Sequence, residues 1–531
     1  SRSHDSRSIG FSETISLFET SALIADPFED GDTGAAYLYR NLGTRAGIGI
    51  EDARLTGSDS EASDQFGFAL DLGDGFAVVG APYEDERKED AGAVYFFYDL
   101  DQAAGEVSET IKLPELTGQV GALFGYSVSV NGSEALIGAP NFGRYVEGTG
   151  AEGRAWLFRE VDESNASGFP FIELRAHDRK NFDGFGDRVA LSGGNALVRG
   201  KSEEEFSAYP PGPALPYPEA QVIYAYLGLS EVTVSTNEAL QLFPSAVNDS
   251  GNTAFAHDLD LDGDTFVISD FLAGESGRVY TGQLSTYSTL DEGGTSRILD
   301  GLSFRSLIDW TIGETTSANE ILLPSGNSAT IAPSKKIFIG KEADSNDNRL
   351  IIGGELTAGT VVIGSPDSNT GNVLEILSTA DASIGTIRVY PGNGLVLEGE
   401  FSTLEEVLAA LGSPLIEYWG GSAWVELDPT SDENPIEIVD GQTTVTVPNQ
   451  GGGDSGGSGG GDTGGGDSGS GGDDPGTTQA DFSIQSMTLD PQPTTTGQDF
   501  AATVVVKNEG DLSADAGLLR VWAARTSIPS F

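Results

Sequence analysis

The stretch FGFALDLGDGFAVVGAP, residues 66–82, decides the fold because similar versions of it recur along the chain. Five ungapped copies of 17 residues each begin at a phenylalanine or its equivalent, and successive starts lie 55, 58, 61 and 70 residues apart. The copies, which we call the repeated phrases, occupy residues 11–27, 66–82, 124–140, 185–201 and 255–271. A fixed core with variable spacers at so long a period indicates a repeat architecture.

Each copy reads as a β-hairpin. In the second copy, apolar residues alternate with polar or small ones from Phe66 to Leu72, which predicts a strand with one buried face. The Gly-Asp-Gly sequence at residues 73–75 predicts a tight turn, because these residues tolerate positive φ. The apolar run at residues 76–79 then predicts a return strand that is buried on both faces.

Two further strands accompany each hairpin. A short strand that contains a leucine precedes each phrase except the first; the leucines are Leu55, Leu113, Leu174 and Leu242. We assign this strand to the unit of the phrase that follows it. On this assignment the first unit lacks such a strand. A strand with an aromatic residue follows the phrase, at Tyr37, Tyr95, Trp156 and Tyr280, with a degenerate version at residues 222–226. Four short antiparallel strands per period predict the blades of a β-propeller.

The repeated letters resemble a known family. The second and third copies carry both FG and GAP, whereas the fourth keeps FG but reads RGK at residues 199–201. This pattern resembles the FG-GAP repeat of integrin α-chain β-propellers and of many bacterial surface proteins. The resemblance covers about residues 8–285 and implies a propeller of five recognisable blades, incomplete as it stands, in residues 1–290.

Charge excludes some classes of partner. The chain has 82 acidic and 28 basic residues, a formal net charge of −54. Such a surface repels nucleic acid and anionic membranes and suits a salty exterior, so we expect an extracellular or cell-surface location. No stretch of 18 apolar residues is present, which predicts no membrane insertion. Because residue 1 is serine and the only methionine is Met487, we expect a chain that is cut at its N-terminus.

A second repeat occupies residues 291–400. Short β-prone runs that begin at Trp310, Ile337, Val361 and Ile387 recur every 24–27 residues, and strands led by asparagine lie between them. One coil per roughly 25 residues predicts a β-solenoid similar to those of bacterial surface proteins. Residues 361–377 also fit a decayed GAP strand pair, so further propeller remains an alternative for part of this region.

The C-terminal third divides into three segments. Residues 401–448 contain a capping box at Ser402 and Glu405, which predicts one short helix ended by Gly412, followed by β-hairpins. Residues 449–477 are mostly Gly, Ser, Asp and Thr, which is typical of a flexible linker. Residues 478–531 resemble the opening strands of a bacterial cell-adhesion-related (CARDB-type) Ig-like domain, which implies a partial β-sandwich cut at the C-terminus.

Catalytic motifs are nearly absent. The histidines are His4, His177 and His257, and none has a second ligand at metal-binding spacing. The GDSGG sequence at residues 453–457 resembles a serine-protease motif, but it lies in the low-complexity segment without a neighbouring strand, helix or histidine. We therefore expect no enzymatic activity.

One acidic pattern raises the question of calcium. Asp258, Asp260, Asp262 and Asp264 surround Gly263 and resemble the D-x-D-x-D-G calcium loops of integrin-type blades. Calcium prefers several oxygen ligands on a tight loop. However, the ninth position is Phe266 where an acidic residue is expected, and the hairpin is no longer than its sister hairpins. Calcium binding and a plain Asp-Gly turn both remain open.

The loops between the second and third strands of each unit are the most variable part of the repeat, spanning 10, 13, 16, 23 and 9 residues. Loops of one class emerge on one rim of a propeller, and variable loops on a rigid scaffold commonly carry binding. Aromatic and arginine side chains dominate binding energetics. The expected ligand-binding residues are Tyr83, Arg87, Phe142, Arg144, Tyr145, Tyr209 and Tyr217.

Together these features predict an all-β adhesion protein that binds an extracellular protein or glycan through its propeller rim. Two alternatives remain open. The chain could be the non-catalytic targeting portion of a large secreted hydrolase, or a structural component of a surface layer or fibre. An anchoring tail, a catalytic domain or tandem solenoids in adjoining sequence would distinguish the three.

Overall fold

The computed structural model describes residues 14–44, 50–141, 153–162, 168–177, 184–202, 220–245, 255–270, 277–366, 369–428, 435–439, 441–445, 447, 482–490 and 501–508. The chain divides into two compact units, Ser1–Gly453 and Asp454–Phe531. Strands make up 51% of the structure and helices 6%, which confirms the all-β prediction.

The repeated phrases form five antiparallel sheets, four of which have four antiparallel strands, and the fourth sheet continues into the solenoid. Sheet I contains β1 (Ile15–Phe18), β2 (Ser21–Asp26), β3 (Ala35–Tyr39) and β4 (Ala53–Thr56); sheet II contains β5 (Ala69–Leu72), β6 (Ala77–Ala81), β7 (Ala93–Phe97) and β9 (Ile111–Pro114). Sheet III contains β10 (Ser127–Asn131), β11 (Glu134–Ala139), β12 (Arg154–Arg159) and β13 (Phe171–Arg175); sheet IV contains β14 (Val189–Ser192), β15 (Asn195–Ser202), β16 (Ala220–Tyr226) and β18 (Leu240–Pro244). Two edge strands run parallel to their neighbours: β8 (Gly105–Ser108) joins β4, and β17 (Thr236–Asn237) joins β13.

The strand that precedes each phrase belongs to the preceding sheet, so our assignment of it to the following unit is wrong. Leu55 pairs with Ala36 in sheet I, and Leu113 pairs with Val94 in sheet II. The first phrase therefore has all four of its strands. The fifth phrase forms sheet V from β19 (Phe255–Asp262), β20 (Thr265–Asp270) and β21 (Arg278–Gln283), because the chain then turns into the solenoid instead of supplying a fourth strand.

The sheets are arranged as propeller blades. Their inner strands pack side by side in chain order, from β1 through β5, β10 and β14 to β19. Phe66, Phe124 and Phe185 are 0%, 0% and 2% exposed, as expected for side chains at the centre of the repeat. The apolar residues of each sheet face those of the next, so each core lies between two sheets.

Contacts between neighbouring sheets explain the glycines of the FG and GAP elements. A Cβ atom on Gly80 would lie 2.0 Å from the carbonyl oxygen of Gly125, and a Cβ on Gly138 would lie 1.9 Å from that of Gly186. The GAP glycine of one sheet therefore accommodates the FG glycine of the next. In sheet IV, Arg199 replaces the GAP glycine and donates from Nη1 to the carbonyl oxygen of Ala256 at 2.6 Å.

The solenoid is confirmed by parallel pairing between successive coils. One face consists of β22 (Thr289–Leu290), β25 (Trp310–Ile312), β28 (Lys336–Ile339), the second half of β30 (Glu355–Ile363), the second half of β32 (Asp381–Val389) and β34 (Leu415–Trp419). A second face consists of β24 (Leu302–Ser306), β27 (Ser328–Ile331) and the first halves of β30 and β32. The third face consists of β23 (Gly294–Arg297), β26 (Asn319–Leu323), β29 (Arg349–Ile352), β31 (Val373–Ile376) and β33 (Gly394–Glu398).

This pairing excludes the decayed-propeller alternative for residues 361–377. The end of β30 pairs in parallel with β28 and β32, whereas β31 pairs in parallel with β29 and β33 in another sheet. A GAP strand pair requires antiparallel partners in one sheet.

Buried asparagines connect the solenoid coils. Asn319, Asn348 and Asn372 each donate from the backbone N–H to Oδ1 of the next ladder residue, at 2.9, 3.0 and 3.0 Å, and Asn393 is the last acceptor. Their Nδ2 atoms donate to the same oxygens at 2.7, 2.9 and 2.8 Å. Because a buried amide must be hydrogen-bonded, this ladder sets the register of each coil on the next.

The propeller and the solenoid share one sheet and one core. Strand β18 of sheet IV pairs antiparallel with β24 of the first coil, and Leu242 lies opposite Phe304. Sheet V covers the start of the solenoid, where Phe266, Tyr287, Phe304 and Trp310 form a chain of aromatic contacts. The fifth sheet therefore acts as both the last propeller sheet and the cap of the first coil.

The other end of the solenoid is closed by α2 (Leu404–Ala410) and by β37 (Gln442–Val445), which pairs antiparallel with β33 and with β36 (Ile436–Val439). The helix cap is Thr403, whose Oγ1 accepts from the N–H of Glu406 at 3.2 Å. The predicted capping box of Ser402 and Glu405 is thus displaced by one residue. Strand β34 forms a hairpin with β35 (Trp424–Glu426). In the propeller, a short helical segment, α1 (Glu29–Asp32), lies between β2 and β3 of sheet I.

In the second unit, the structure describes one antiparallel pair, β38 (Phe482–Asp490) with β39 (Ala501–Asn508). This pair is a hairpin rather than a sandwich, and the Ig-like domain remains a prediction. The linker segment at residues 449–477 lies outside the described residues.

Candidate functional site

The loops between second and third strands contain all seven predicted ligand-binding residues. Tyr83 and Arg87 lie in the loop between β6 and β7 of sheet II. The other five lie outside the described residues; they are Phe142, Arg144, Tyr145, Tyr209 and Tyr217. The loops of this class that the structure describes in full are those of sheets I and II.

Three half-buried aromatic side chains form a cluster at this rim. The ring of Phe68 lies 6.2 Å from that of Tyr83 and 4.6 Å from that of Tyr126, measured between centroids. Tyr83 belongs to the loop of sheet II, whereas Tyr126 opens sheet III. Burial raises the pKa of the Tyr83 phenol, with smaller contributions from Tyr126 and Asp90, so this hydroxyl stays a neutral hydrogen-bonding group. We call Phe68, Tyr83 and Tyr126 the rim aromatic cluster.

Sequence reasoning found Tyr83 but missed its two partners. Phe68 and Tyr126 occupy the same place in the repeat, two residues after the phenylalanine that opens the phrase. Asp187 and His257 hold this place in sheets IV and V. Because other repeats have charged side chains at this position, the position is expected to be accessible to solvent. That signal could have identified Phe68 and Tyr126 as surface aromatic residues.

Arg87 lies on the same loop as Tyr83, and its side chain is anchored next to the outer strand of sheet II. Its Nη1 atom donates to the carbonyl oxygen of Glu115 at 3.0 Å, and its side chain is exposed. The loop is closed by the N–H of Gly92, which donates to the carbonyl oxygen of Glu84 at 3.0 Å. The loop that carries Tyr83 therefore also presents an exposed cationic side chain on an acidic protein.

Under the same loop, three carboxylates converge around a lysine. Oxygens of Asp59, Glu84 and Glu86 lie within 4.8 Å of one another. Lys112 Nζ donates to Glu84 at 2.8 Å and to Glu86 at 2.7 Å, and it also contacts Asp59. Burial disfavours the charged lysine, but these hydrogen bonds outweigh burial and hold the pKa of Lys112 well above its ordinary value. The lysine ammonium thus occupies the position that a metal ion needs.

The same position carries ion pairs in other sheets, which indicates a structural role. In sheet I, Arg54 lies 3.2 Å from Glu29, and the Tyr37 hydroxyl also donates to Glu29. Burial, followed by the hydrogen bond to Glu29, raises the pKa of Tyr37 to about 12. In sheet III the charges are reversed, with Glu173 3.2 Å from Arg154.

The four aspartates considered for calcium point to different partners. Asp258 and Asp260 are exposed on β19, and each accepts a hydrogen bond from the following backbone N–H. Asp262 lies opposite Thr265 at the turn, and Asp264 accepts from the N–H and hydroxyl of Ser285. In the part of the chain that the structure describes, they do not form a group of three converging carboxylates. Calcium binding at this hairpin stays an untested prediction.

Side chains on the inner strands tie neighbouring sheets together. Asp71 accepts from the hydroxyl of Ser16 at 2.6 Å and from the N–H of Val130 at 2.7 Å, so it bridges sheets I, II and III. Burial raises the pKa of Asp71, and the charge of Asp260 adds to this effect, while the hydrogen bonds oppose it. Ser129 accepts from the N–H of Leu191 at 3.1 Å in the same way. These contacts fix the propeller on which the rim loops stand.

The described histidines lie apart from the rim aromatic cluster. His177 contacts the buried carboxylate of Glu238, which also accepts from the His177 N–H at 3.0 Å and from Gln241. His257 is an exposed residue on β19. His4 lies outside the described residues.

Comparison with known proteins identifies the repeat. The FG-GAP repeat family model matches residues 50–97, which run from β4 of sheet I to β7 of sheet II. The match assigns an FG-GAP repeat to these residues, and the sheet arrangement is that of a β-propeller joined to a β-solenoid. In the described residues, no helix has the length and apolar character needed to cross a membrane.

Solved structures show only distant likeness. One is the β-propeller domain of the trilobed protease from Pyrococcus furiosus, with 9% identity, a TM-score of 0.29, and coverage of 50% of this chain and 65% of that one. Another is a Bombyx mori GH32 β-fructofuranosidase variant in complex with sucrose, with 10% identity, a TM-score of 0.23, and coverage of 50% and 59%. The chain thus spans less than two thirds of either. No curated protein matches the sequence.

Proposed function

We propose that this protein is a non-enzymatic extracellular or cell-surface adhesion protein that binds an extracellular protein or glycan at its propeller rim. The observation that carries the proposal is the rim aromatic cluster, which spans two neighbouring sheets, with the exposed Arg87 on the same loop as Tyr83. Aromatic rings and arginine supply most of the binding energy in known interfaces, and rigid scaffolds favour such use of their loops.

The electrostatics support an extracellular ligand. A net charge of −54 disfavours nucleic acid and anionic membranes as partners. The ion pairs of sheets I to III connect the outer strands to the strand or loop beside them. The rim can therefore present a fixed binding surface.

A binding screen with matched variants tests the proposal. The full chain is applied to an array of extracellular matrix proteins and glycans, together with the double variant Tyr83→Ala/Tyr126→Ala. We expect binding to weaken on the order of a hundredfold, because two aromatic contacts are lost. The control is Phe171→Ala, which removes an aromatic side chain that is 50% exposed on the outer strand of sheet III.

The two variants separate binding from folding. Both should unfold within a few degrees of the wild type, because each replaced ring is partly exposed. If the double variant binds its ligand as well as the wild type does, the rim aromatic cluster is not the binding site.

A further inference from the structure

The last coils of the solenoid break a pattern that the earlier coils keep. On the first face, the residue that follows each strand is Gly313, Gly340 and then Gly364. These glycines make room for the asparagine ladder; Cβ atoms on Gly313 and Gly340 would lie 2.4 Å from the side chains of Asn348 and Asn372. The next two coils have Tyr390 and Trp419 at this place.

The end of the ladder explains the change. Asn393 is the last acceptor of the ladder and donates from its Nδ2 to backbone carbonyl oxygens of residues 369, 390 and 391. Beyond it, no ladder asparagine needs the space. Large side chains at this place therefore do not serve the ladder, and their position at the end of the solenoid needs another reason.

The two aromatic residues join a third on the terminal hairpin. Trp424 of β35 pairs directly with Trp419 of β34. The ring centroids lie 5.4 Å apart for Trp419–Trp424, 4.9 Å for Tyr390–Trp424 and 5.8 Å for Tyr390–Trp419. All three side chains are half-buried. We call Tyr390, Trp419 and Trp424 the solenoid-end patch.

These tryptophans differ from the others that the structure describes. Trp156 and Trp310 are 3% and 0% exposed and lie inside hydrophobic cores. Trp419 and Trp424 are instead side by side at the surface. Large aromatic side chains that meet at a surface are a common feature of binding sites.

A fixed ion pair borders the patch. The guanidinium of Arg388 lies 5.1 Å from the centroid of the Trp424 ring. Its Nε atom donates to Glu417 Oε2 at 2.7 Å. Hydrogen-bond donors and acceptors therefore stand directly beside apolar ring surface, and neither charge is available alone to attract an ionic ligand.

Size and charge select the occupant. Fully exposed, three such rings offer about 150–250 Å² each, and half-buried they leave roughly 200 Å² in total. A stable protein interface needs about 800 Å² on each partner, whereas a small ligand fits the patch. The net charge of −54 disfavours anionic ligands.

From this combination of rings and paired charges we infer that the solenoid-end patch binds a neutral saccharide. One sugar ring would stack on Trp419 or on the face of Trp424 that Arg388 does not cover, and its hydroxyls would hydrogen-bond to Arg388 and Glu417. This site is independent of the propeller rim and does not rest on the function proposed for it.

Titration of the full chain with neutral oligosaccharides tests the inference. The probes are cellohexaose, chitohexaose and laminarihexaose, with an oligogalacturonate as the anionic comparison, and the readouts are tryptophan fluorescence and calorimetry. At least one neutral probe should bind at millimolar concentration and protect the tryptophans from quenching by acrylamide. The oligogalacturonate should bind more weakly than that probe.

Variants locate the binding. Trp424→Ala should weaken the binding by about tenfold or more, the effect of one lost stacking contact. Phe338→Ala is the matched control, since Phe338 is a half-buried aromatic residue on the same face three coils before β34, and this variant should bind as the wild type does. If Trp424→Ala unfolds the hairpin, acrylamide protection of the wild-type chain still decides the question.

Three outcomes overturn the inference. The first is that no neutral probe changes the fluorescence or its quenching. The second is that Trp424→Ala folds and binds as tightly as the wild type. The third is that sedimentation shows self-association that Trp424→Ala abolishes, because the patch would then hold a second copy of the chain.

Discussion

The propeller sheets and the solenoid coils are both built from repeats, but they hold those repeats together differently. Neighbouring propeller sheets meet through apolar faces and through backbone contacts at glycine, such as Gly138 against Gly186. Neighbouring solenoid coils meet through backbone hydrogen bonds and the buried asparagine ladder. Contact between propeller sheets thus depends on close packing of complementary surfaces, whereas contact between solenoid coils depends on hydrogen bonds to buried polar groups. Four substitutions test this difference, in order of decreasing expected effect.

Phe124→Ala should have the largest effect. Phe124 is fully buried between sheets II and III, with its ring 5.5 Å from Trp156 and 6.2 Å from Phe158. Its removal leaves a cavity and should lower the free energy of unfolding by about 4 kcal/mol, measured by denaturant titration. Hydrogen exchange should increase first in the propeller strands. Equal acceleration in the solenoid would mean that the two regions unfold as one unit and do not differ as described.

Asn348→Ala should cost about 3 kcal/mol in the free energy of unfolding. The substitution removes the acceptor of the Asn319 N–H and Nδ2 and leaves buried donors without partners. The control is Asn346→Ala in the same corner of the coil. The Asn346 side chain is half-buried, and its Oδ1 accepts from the N–H of Thr370. The expected loss in the free energy of unfolding is about 1 kcal/mol. Equal effects of the two substitutions would argue against the ladder as the main bond between coils.

Gly138→Ala should lower the free energy of unfolding by about 2 kcal/mol, because the added methyl group meets the backbone of sheet IV at 1.9 Å. Gly132→Ala is the control: its turn has a φ of +57°, but nothing lies within 4 Å of the added Cβ, so about 1 kcal/mol of backbone strain is expected. Thermal unfolding of both variants distinguishes close packing from strain. If Gly132→Ala is the more damaging change, shape between the sheets is not the limiting factor.

Asp64→Asn should produce the smallest and the only pH-dependent effect. Burial raises the pKa of Asp64 to about 6, with added repulsion from Glu84, Asp85 and Glu61, while the hydrogen bond from the Glu61 N–H opposes the shift. Because this pKa is higher in the folded protein than in the unfolded chain, the protonated form favours folding, and that stability is lost as the pH rises through about 6. The stability of the variant relative to the wild type should therefore increase by about 1 kcal/mol between pH 5 and pH 8.

The measurement for Asp64→Asn is the difference in melting temperature between variant and wild type at the two pH values. Asn348→Ala serves as the comparison, since the asparagine ladder carries no titratable group and its effect should not change with pH in this range. A difference for Asp64→Asn that is the same at both pH values would contradict the raised pKa.

Part of the candidate site could be predicted from sequence because loops of one class emerge together. Tyr83 and Arg87 were identified from loop position and residue type, and both lie at the described rim. Phe68 and Tyr126 were missed because they belong to the regular phrase and resemble core residues by pattern. Only the packing of sheet III on sheet II brings Tyr126 to Phe68, which itself lies against Tyr83 within sheet II.

Local periodicity and turn residues were enough to predict the repeats of this protein, namely the hairpin phrase, the all-β class and the coil of roughly 25 residues. Tertiary structure decided which sheet each strand joins, as at Leu55, because an outer strand follows its partner in space and not its nearest phrase. Tertiary contacts also explain why the FG and GAP elements need glycine and why asparagine stands at the start of the solenoid strands. These residues contact neighbours that lie roughly 25 to 60 positions away in the chain, and the local sequence pattern carries no information about such contacts.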